Sequence, residues 1–213
     1  MRNLTLLTDL YQLTMLYGYH KNGMSGRRAE FTMFFRQAPG LNYAVMAGNE
    51  QLRDYLLELR FGPEDLSYLD SLKLFDRDFL DSLRDFRFTG DIDIVREGSI
   101  IFPNEPIVRV EAPLAQAQLI ETAMLNLIGH QTLIATKANR VARAAKGGRV
   151  MEFGLRRAQG PDAGVLGARA AFIGGCGSTS NVKAGQLFGI PVSGTHAHSW
   201  VMSFGSELEA FRA

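Results

Sequence analysis

The sequence predicts an α/β fold in two parts: a mixed α+β segment over residues 1–113, then a glycine-rich α/β segment over 114–213. Three observations carry this. Period-two apolar runs alternate with period-3.6 runs from the start of the chain. The β-rich stretch 88–113 gives way abruptly to helical patterning at Leu114. Twelve of the 22 glycines then fall between Gly147 and Gly194. There, apolar runs at 149–153, 170–173 and 190–192 end in turns carrying Arg156, Arg157, Ser178, Thr179, Ser180, His196 and His198. Strands that stop at such loops build sites at the carboxyl ends of a parallel sheet.

In chain order, residues 4–19 read as a helix with Leu10, Leu13, Leu16 and Tyr17 on one face and Thr8 or Asp9 as its cap. Tyr11 sits one residue off that face, the position of a packing aromatic. Residues 29–36 alternate Phe31, Met33 and Phe35 to one side, a strand, and 43–47 form another. Asn49 caps a helix in which Leu52, Tyr55, Leu56 and Leu59 share a face, and Gly62-Pro63 ends it. Two short helices follow at 64–72 and 77–86. Between 88 and 113, three alternating runs separated by Glu97-Gly98 and Pro103-Asn104 read as a small antiparallel unit. Two helices are expected next, one through Leu119, Ala123 and Leu127, the other over 131–146 and closed by Gly147-Gly148, with His130 between them. The α/β part then reads strand 149–153, strand 170–173, a helix capped by the Ser178–Ser180 cluster and ending at Gly189, and strand 191–195.

Composition narrows the function. The chain is 46% hydrophobic and 21% charged, with a net charge of +1, so no basic excess argues for nucleic acid. No run approaches the roughly 20 apolar residues of a membrane helix, and the N-terminus lacks a signal-peptide pattern. Cys176 stands alone, which suits a reducing, cytoplasmic compartment. Ser206-Glu-Leu-Glu209 is a capping box close to the end at Ala213, from which a fragment of a longer polypeptide is expected.

The chemistry-bearing residues are of three kinds. Arg156-Arg157 beside glycines is an anion site by residue type. The stretch 174–180 offers glycine N–H groups and hydroxyls ahead of a helix start, without the spacing of a Walker loop. His196-x-His198 lacks companions for zinc and suits acid–base or nucleophilic chemistry better. His130 reads as a helix-end group. Residue types alone stop at an α/β enzyme for a small anionic or phosphorylated substrate, against the plainer reading of a glycine-rich domain with solvated loops.

Five strings carry a resemblance: Thr8-Asp-Leu-Tyr-Gln-Leu-Thr-Met15, Glu97-Gly-Ser99, Glu152-Phe-Gly-Leu-Arg-Arg-Ala-Gln-Gly-Pro-Asp162, Ser178-Thr-Ser-Asn-Val182 and Gly194-Thr-His-Ala-His-Ser199. In this order they resemble the nicotinate phosphoribosyltransferase family, a type II phosphoribosyltransferase roughly twice this length. The resemblance implies a mixed α+β domain over 1–113, completed by later segments, and the opening of an irregular α/β (TIM-like) barrel over 114–213. It implies transfer of phosphoribose from phosphoribosyl pyrophosphate to nicotinate, with coupled ATP hydrolysis, in NAD salvage. His198 matches the histidine that ATP phosphorylates. Arg156, and less directly Arg157, match substrate-binding arginines. Ser180, with Thr179 beside it, matches a substrate position that carries Asp in nicotinamide enzymes; a hydroxyl there favours the acid. Tyr11 matches an aromatic that stacks on the pyridine ring from the neighbouring subunit of a homodimer. His196 departs from the family string and receives no role. Magnesium ligands are expected mainly beyond residue 213, so this piece alone is expected to be inactive and poorly stable. The runner-up readings are a related enzyme for nicotinamide or quinolinate, or a non-catalytic oligomerisation or ligand-binding fragment.

Overall fold

The computed structural model describes residues 3–213; residues 1 and 2, at the start of the segment expected over 1–113, lie outside it. Its frame is one helix, α5 (Leu114–Ala144), 31 residues and roughly 46 Å long at the usual rise per residue. The sequence predicts two helices here. The structure has one, because buried side chains continue from Ala115 to Ala138 across Gly129 and His130. A mid-helix glycine costs only about 1 kcal/mol, far less than that burial contributes.

The N-terminal elements pack on one side of α5. Helix α1 (Leu10–Lys21) starts later than expected, and Asp9 stands at its N-cap. The Asp9 carboxylate accepts from Thr122 Oγ1 on α5 at 3.0 Å instead of capping its own helix. Strand β1 (Arg28–Met33) pairs antiparallel with β5 (Val108–Pro113), which also pairs with β3 (Asp91–Ile94). Val108, Val110 and Ala112 point to the core, while Arg109 and Glu111 alternate outward among exposed charges. Strand β2 (Ala44–Val45) pairs with β4 (Ile100–Ile101) in a separate ribbon. The three runs of 88–113 therefore do not form one unit: β3 and β5 join β1, and β4 joins β2. Pairing partners supplied from elsewhere in the chain decide this, and local alternation cannot reveal them.

The free edge of β2 is satisfied by a helix. Val45 N–H donates to Thr136 Oγ1 at 2.9 Å, and Ala47 N–H to Thr132 Oγ1 at 3.2 Å. Two α5 threonines thus stand in for a neighbouring strand and satisfy the Val45 and Ala47 N–H groups. Helices α2 (Asn49–Glu58), α3 (Pro63–Ser71) and α4 (Arg77–Ser82) close the core, with Leu52, Leu59, Leu69 and Phe79 buried against Leu119, Ile120 and Ile128.

Beyond α5 the order is β6 (Met151–Glu152), a 3-10 turn (Leu155–Arg157), α6 (Pro161–Ile173), β7 (Ser178–Thr179) and α7 (Val182–Phe188). The strand expected at 170–173 is the last turn of α6. Its start signals are Pro161 in the first turn and Asp162 beside it; the small apolar residues that follow pack on α5 with helical, not alternating, spacing. The Ser178–Ser180 cluster is strand and strand end, and Asn181 is the cap: its Oδ1 accepts from Ala184 N at 3.1 Å. Gly189 (φ +66) closes α7 in the left-handed conformation. Strand 191–195 reduces to a parallel bridge between Val192 and Thr179. Two short helices follow, α8 (His198–Met202) and α9 (Glu207–Arg212), and Ser206 Oγ caps α9 as its pattern predicts.

α6 lies close against α5 because both present small residues. A Cβ on Gly174 would sit 2.3 Å from the Ala135 carbonyl oxygen and 2.8 Å from Ala138 Cβ. Gly174→Ala is expected to lower stability by about 2–3 kcal/mol through overpacking. Gly129→Ala, with nothing within 4 Å of the added carbon, is expected to raise it by about 0.5–1 kcal/mol. Urea unfolding followed by helical circular dichroism measures both; equal shifts would contradict the packing described.

Candidate active site

The candidate site lies where three parallel strand positions run side by side. β6 and β7 pair in parallel, Met151 with Ser178 and Glu152 with Thr179, and Thr179 bridges in parallel to Val192. Their backbone ladder includes Ser180 N to Glu152 O and Ser193 N to Thr179 O, both at 3.0 Å. Because the strands are parallel, their carboxyl ends share one edge. In chain order, Arg156 and Arg157 follow β6, Ser180 follows β7, and His196 and His198 come four and six residues after Val192.

Arg156 and Arg157 are exposed on the 3-10 turn and form no ion pair with another described residue. Two unneutralised guanidinium groups are a standing attraction for a carboxylate or phosphate. Ser180 is half-buried and its hydroxyl is not engaged by any described residue. His198 opens α8, exposed, and no described residue holds either ring nitrogen. His196 instead packs edge-on against Phe211, ring centroids 5.4 Å apart.

Thr179 behaves differently from its neighbours. It was expected among the substrate contacts, yet it is fully buried. Its hydroxyl donates to Glu152 Oε2 at 2.6 Å and accepts from Asn181 N–H at 3.0 Å. Alternation along a strand explains the difference: Thr179 faces inward, so Ser180 faces out. The glycine stretch at 174–177 also departs from expectation as an anion cradle. The N–H groups of Gly174, Gly175, Cys176 and Gly177 donate to Ala170, Phe172, Ala171 and Val150 carbonyls and are not available to a ligand. Cys176 is buried, and burial together with the nearby Glu152 charge pushes its thiol up, so it is no activated nucleophile.

Tyr11 lies apart from this edge. It stands half-exposed on α1, whose packing partners are α5 and α4. Its hydroxyl accepts from Gln12 Nε2 at 2.9 Å, within a buried network in which Gln12 also reaches Glu121 and Gln118. His130, placed inside α5 and not at a helix end, keeps its Nε2 buried without a partner.

Sequence reasoning missed the strongest electrostatic feature. Arg169 on α6 has a side chain only 8% exposed and grips Glu97 with both ends: Nη1–Oε1 at 2.9 Å and Nη2–Oε2 at 2.7 Å. Glu50 approaches Nη2 at 2.8 Å. Glu97 also accepts from the Gly48 and Asn49 N–H groups, at 2.6 and 3.0 Å. A groove of about 350 Å³ lined by Glu50, Arg169, Phe172, Leu187, Phe188 and Ile190 opens beside the pair, but its cation is already neutralised. Nothing local in the sequence pairs Arg169 with a carboxylate 72 residues away. Among the described residues, no group of three or more His, Cys, Asp or Glu is placed to hold a metal ion. Nor is any helix long and apolar enough to cross a membrane.

Comparison with known proteins shows the family. The nicotinate phosphoribosyltransferase (NAPRTase) N-terminal domain model matches residues 6–129. This chain belongs to the nicotinate phosphoribosyltransferase family. It is 50% identical over 211 residues to the nicotinate phosphoribosyltransferase of Bacillus subtilis, covering 99% of this chain and 43% of that protein. It is 44% identical to the Bos taurus enzyme of the same name, over 95% of this chain and 39% of the relative. The crystal structure of human nicotinic acid phosphoribosyltransferase superposes with a TM-score of 0.84 at 42% identity, over 92% of this chain and 40% of that one. A Pyrococcus furiosus nicotinate-nucleotide pyrophosphorylase shares the fold, with a TM-score of 0.79 at 24% identity. The chain thus spans less than half the length of these family members.

The Arg169–Glu97 pair makes stability pH-dependent. Burial alone would raise the Glu97 carboxyl, but the Arg169 guanidinium and the two backbone N–H donors outweigh it and hold it below its ordinary value of 4.5. A depressed carboxyl contributes fully above its unfolded value and loses that contribution as pH falls through the folded one. The urea midpoint is therefore expected to fall below about pH 4.5, and Glu97→Gln to flatten that fall. Arg169→Met, which leaves Glu97 buried without its cation, is expected to cost about 3 kcal/mol at pH 7. A midpoint in Glu97→Gln that tracks the parent through the acid range would sink this account.

Proposed function

We propose that the whole protein to which this chain belongs is a nicotinate phosphoribosyltransferase: it joins nicotinate to the phosphoribosyl group of phosphoribosyl pyrophosphate, releasing pyrophosphate, in NAD salvage. The observation that carries this is the order of groups that follow three parallel strand positions in the chain: free guanidinium groups, then an open serine hydroxyl, then an exposed histidine. The pyridine nitrogen forms a bond to ribose C1 as the bond from C1 to the pyrophosphate oxygen breaks. Positive charge on the ribose and negative charge on the leaving group develop together, so fixed cations at the site matter most. Arg156, assisted by Arg157, pairs with the nicotinate carboxylate or an adjacent phosphate, and Ser180 donates to the carboxylate. A nicotinamide enzyme is disfavoured because no acid stands at Ser180 to accept from an amide.

His198 is the phosphoryl acceptor in this reading. An imidazole nitrogen attacks the terminal phosphorus of ATP, ADP leaves, and the phosphohistidine later yields phosphate to water. Its exposure and free ring nitrogens suit that role. Tyr11 would serve a site on a second copy of the chain, in a homodimer. Its half-exposed position on α1, separate from the strand edge, is compatible with this. The three parallel positions would be the opening of an irregular barrel over 114–213, following an α+β domain over 1–113. Magnesium would arrive on the phosphorylated substrates; the described residues offer no cluster for it, and no step here is routed through it. A cytoplasmic location is the reading that the lone Cys176 supports.

The test is nicotinate mononucleotide formation by the complete reading frame and by residues 1–213, with phosphoribosyl pyrophosphate, magnesium and ATP. Activity is expected with nicotinate and not nicotinamide, and only from the complete frame. His198→Ala should abolish acid-labile phosphorylation by ATP and remove its stimulation of the reaction. Arg156→Ala should raise the KM for nicotinate or phosphoribosyl pyrophosphate by about 100-fold, as for loss of a charged hydrogen bond. Equal use of nicotinamide, or phosphorylation that survives His198→Ala, would refute the assignment.

A further inference from the structure

We propose that half-buried Glu152 and buried Thr179 form a positioning pair that sets the spacing between the Arg156 loop and Ser180, and through it the preference for an acid over an amide substrate. The inference rests on the substrate reading above and goes beyond it, because neither residue is offered to the ligand. The Glu152 carboxylate joins two loops. One oxygen accepts from Gly154 N–H, the first turn of the segment leading to Arg156 and Arg157. The other accepts from Thr179 Oγ1 at 2.6 Å, one residue before Ser180.

The same threonine oxygen accepts from Asn181 N–H at 3.0 Å, one residue after Ser180. Asn181 in turn donates from Nδ2 to Gly164 O on α6 at 3.1 Å and caps α7 through Oδ1. Ser180 is therefore flanked on both sides by residues tied to one hydroxyl, and its own N–H is tied to the Glu152 carbonyl at 3.0 Å. The Arg156 turn hangs from the opposite oxygen of the same carboxylate. A shift of Glu152 or Thr179 moves the guanidinium and hydroxyl relative to each other. Both must meet one planar carboxylate, and recognition at that range tolerates little displacement. Gly154 belongs to the device: a Cβ there would lie 2.8 Å from Glu152 Oε1.

The test is steady-state kinetics on the complete reading frame, with nicotinate and nicotinamide, together with urea midpoints. Thr179→Val removes the hydroxyl at constant volume, Thr179→Ser keeps it, and Glu152→Gln weakens the acceptor should Thr179→Val fail to fold. Thr179→Val and Glu152→Gln are expected to raise the nicotinate KM and lower the nicotinate-to-nicotinamide ratio of kcat/KM by on the order of 10- to 100-fold. Thr179→Ser should restore both, and the double variant should be no worse than the poorer single one. Lower midpoints with an unchanged ratio would mean a merely structural pair and overturn the inference. Arg156→Ala and Ser180→Asp separate the two levels. If these also leave the ratio and the nicotinate KM unchanged, the substrate reading itself falls. If they change them while Thr179→Val and Glu152→Gln do not, only the positioning inference falls.

Discussion

The bidentate contact between Arg169 and Glu97 is the constraint on which the placement of the second half of the chain depends. It links α6, which follows the arginine-bearing turn, to a loop of the N-terminal segment more than 70 residues away, and through Glu97 to the start of α2. Desolvating two charges is costly, and a hydrophobic pair of the same volume would often be as stable. What the ion pair adds is directional. The guanidinium fork accepts one orientation of one carboxylate, so α6 has a single rotation in which Arg169 meets Glu97 and its small face meets α5. Gly174 against Ala135 enforces the same choice from the other side of the helix. Charge and sterics thus select one docking of α6, and β7, which follows it, inherits its position.

How much of this was legible depends on whether the deciding partner was local. The amphipathic face of α2 and the cap at Ser206 were readable, because each is set by residues within one or two turns, whereas on α1 Leu13 and Leu16 are buried as expected but Leu10 is exposed and Gln12 is buried in its place. The β unit at 88–113 was readable as strands but not as sheets, since β4 pairs with β2 and not with its neighbours. Residues 170–173 misled for a related reason. Ala-Ala-Phe-Ile is short, apolar and flanked by glycines, which fits a buried strand and the end of a buried helix equally. The tie is broken by Pro161 and Asp162 a few turns earlier and by contact with Ala135 and Ala138, and the second of these is visible only in three dimensions. Gly129 misled in the opposite sense. A breaker costing about 1 kcal/mol cannot interrupt a helix whose neighbours on both sides are being buried.

The site shows the same division. Arginines, a serine and a histidine at the ends of glycine-rich runs were candidates by residue type, and the parallel ladder sets β6 and β7, which Arg156 and Ser180 follow, side by side. Their individual orientations were not recognisable. Thr179 and Ser180 are chemically alike and adjacent, so only the register of β7 against β6 decides which one faces the interior. The glycines at 174–177 looked like an anion cradle, but their N–H groups close the end of α6 and begin the next strand. Glycine there permits tight chain reversal, with Gly175 at φ +113, and not ligand approach.

Arg156 and His198 are exposed and lightly held, whereas Thr179 and Asn181 are buried and Glu152 half-buried, each of them bonded within the protein. Arg156 and His198 have no described partner, but Glu152, Thr179 and Asn181 satisfy one another in a continuous chain. This layering resolves a conflict inherent in an anion site. A guanidinium or hydroxyl already paired within the protein must break that pairing to bind a ligand, while one left unpaired has nothing to fix its direction. Directing such groups through their backbone neighbours avoids both penalties: the side chain stays free, and its Cα is set by bonds one residue away. For Ser180 those bonds lie on either side and at its own N–H. Its position is thus governed by β7, a strand only two residues long, together with the single carboxylate that β6 places against it.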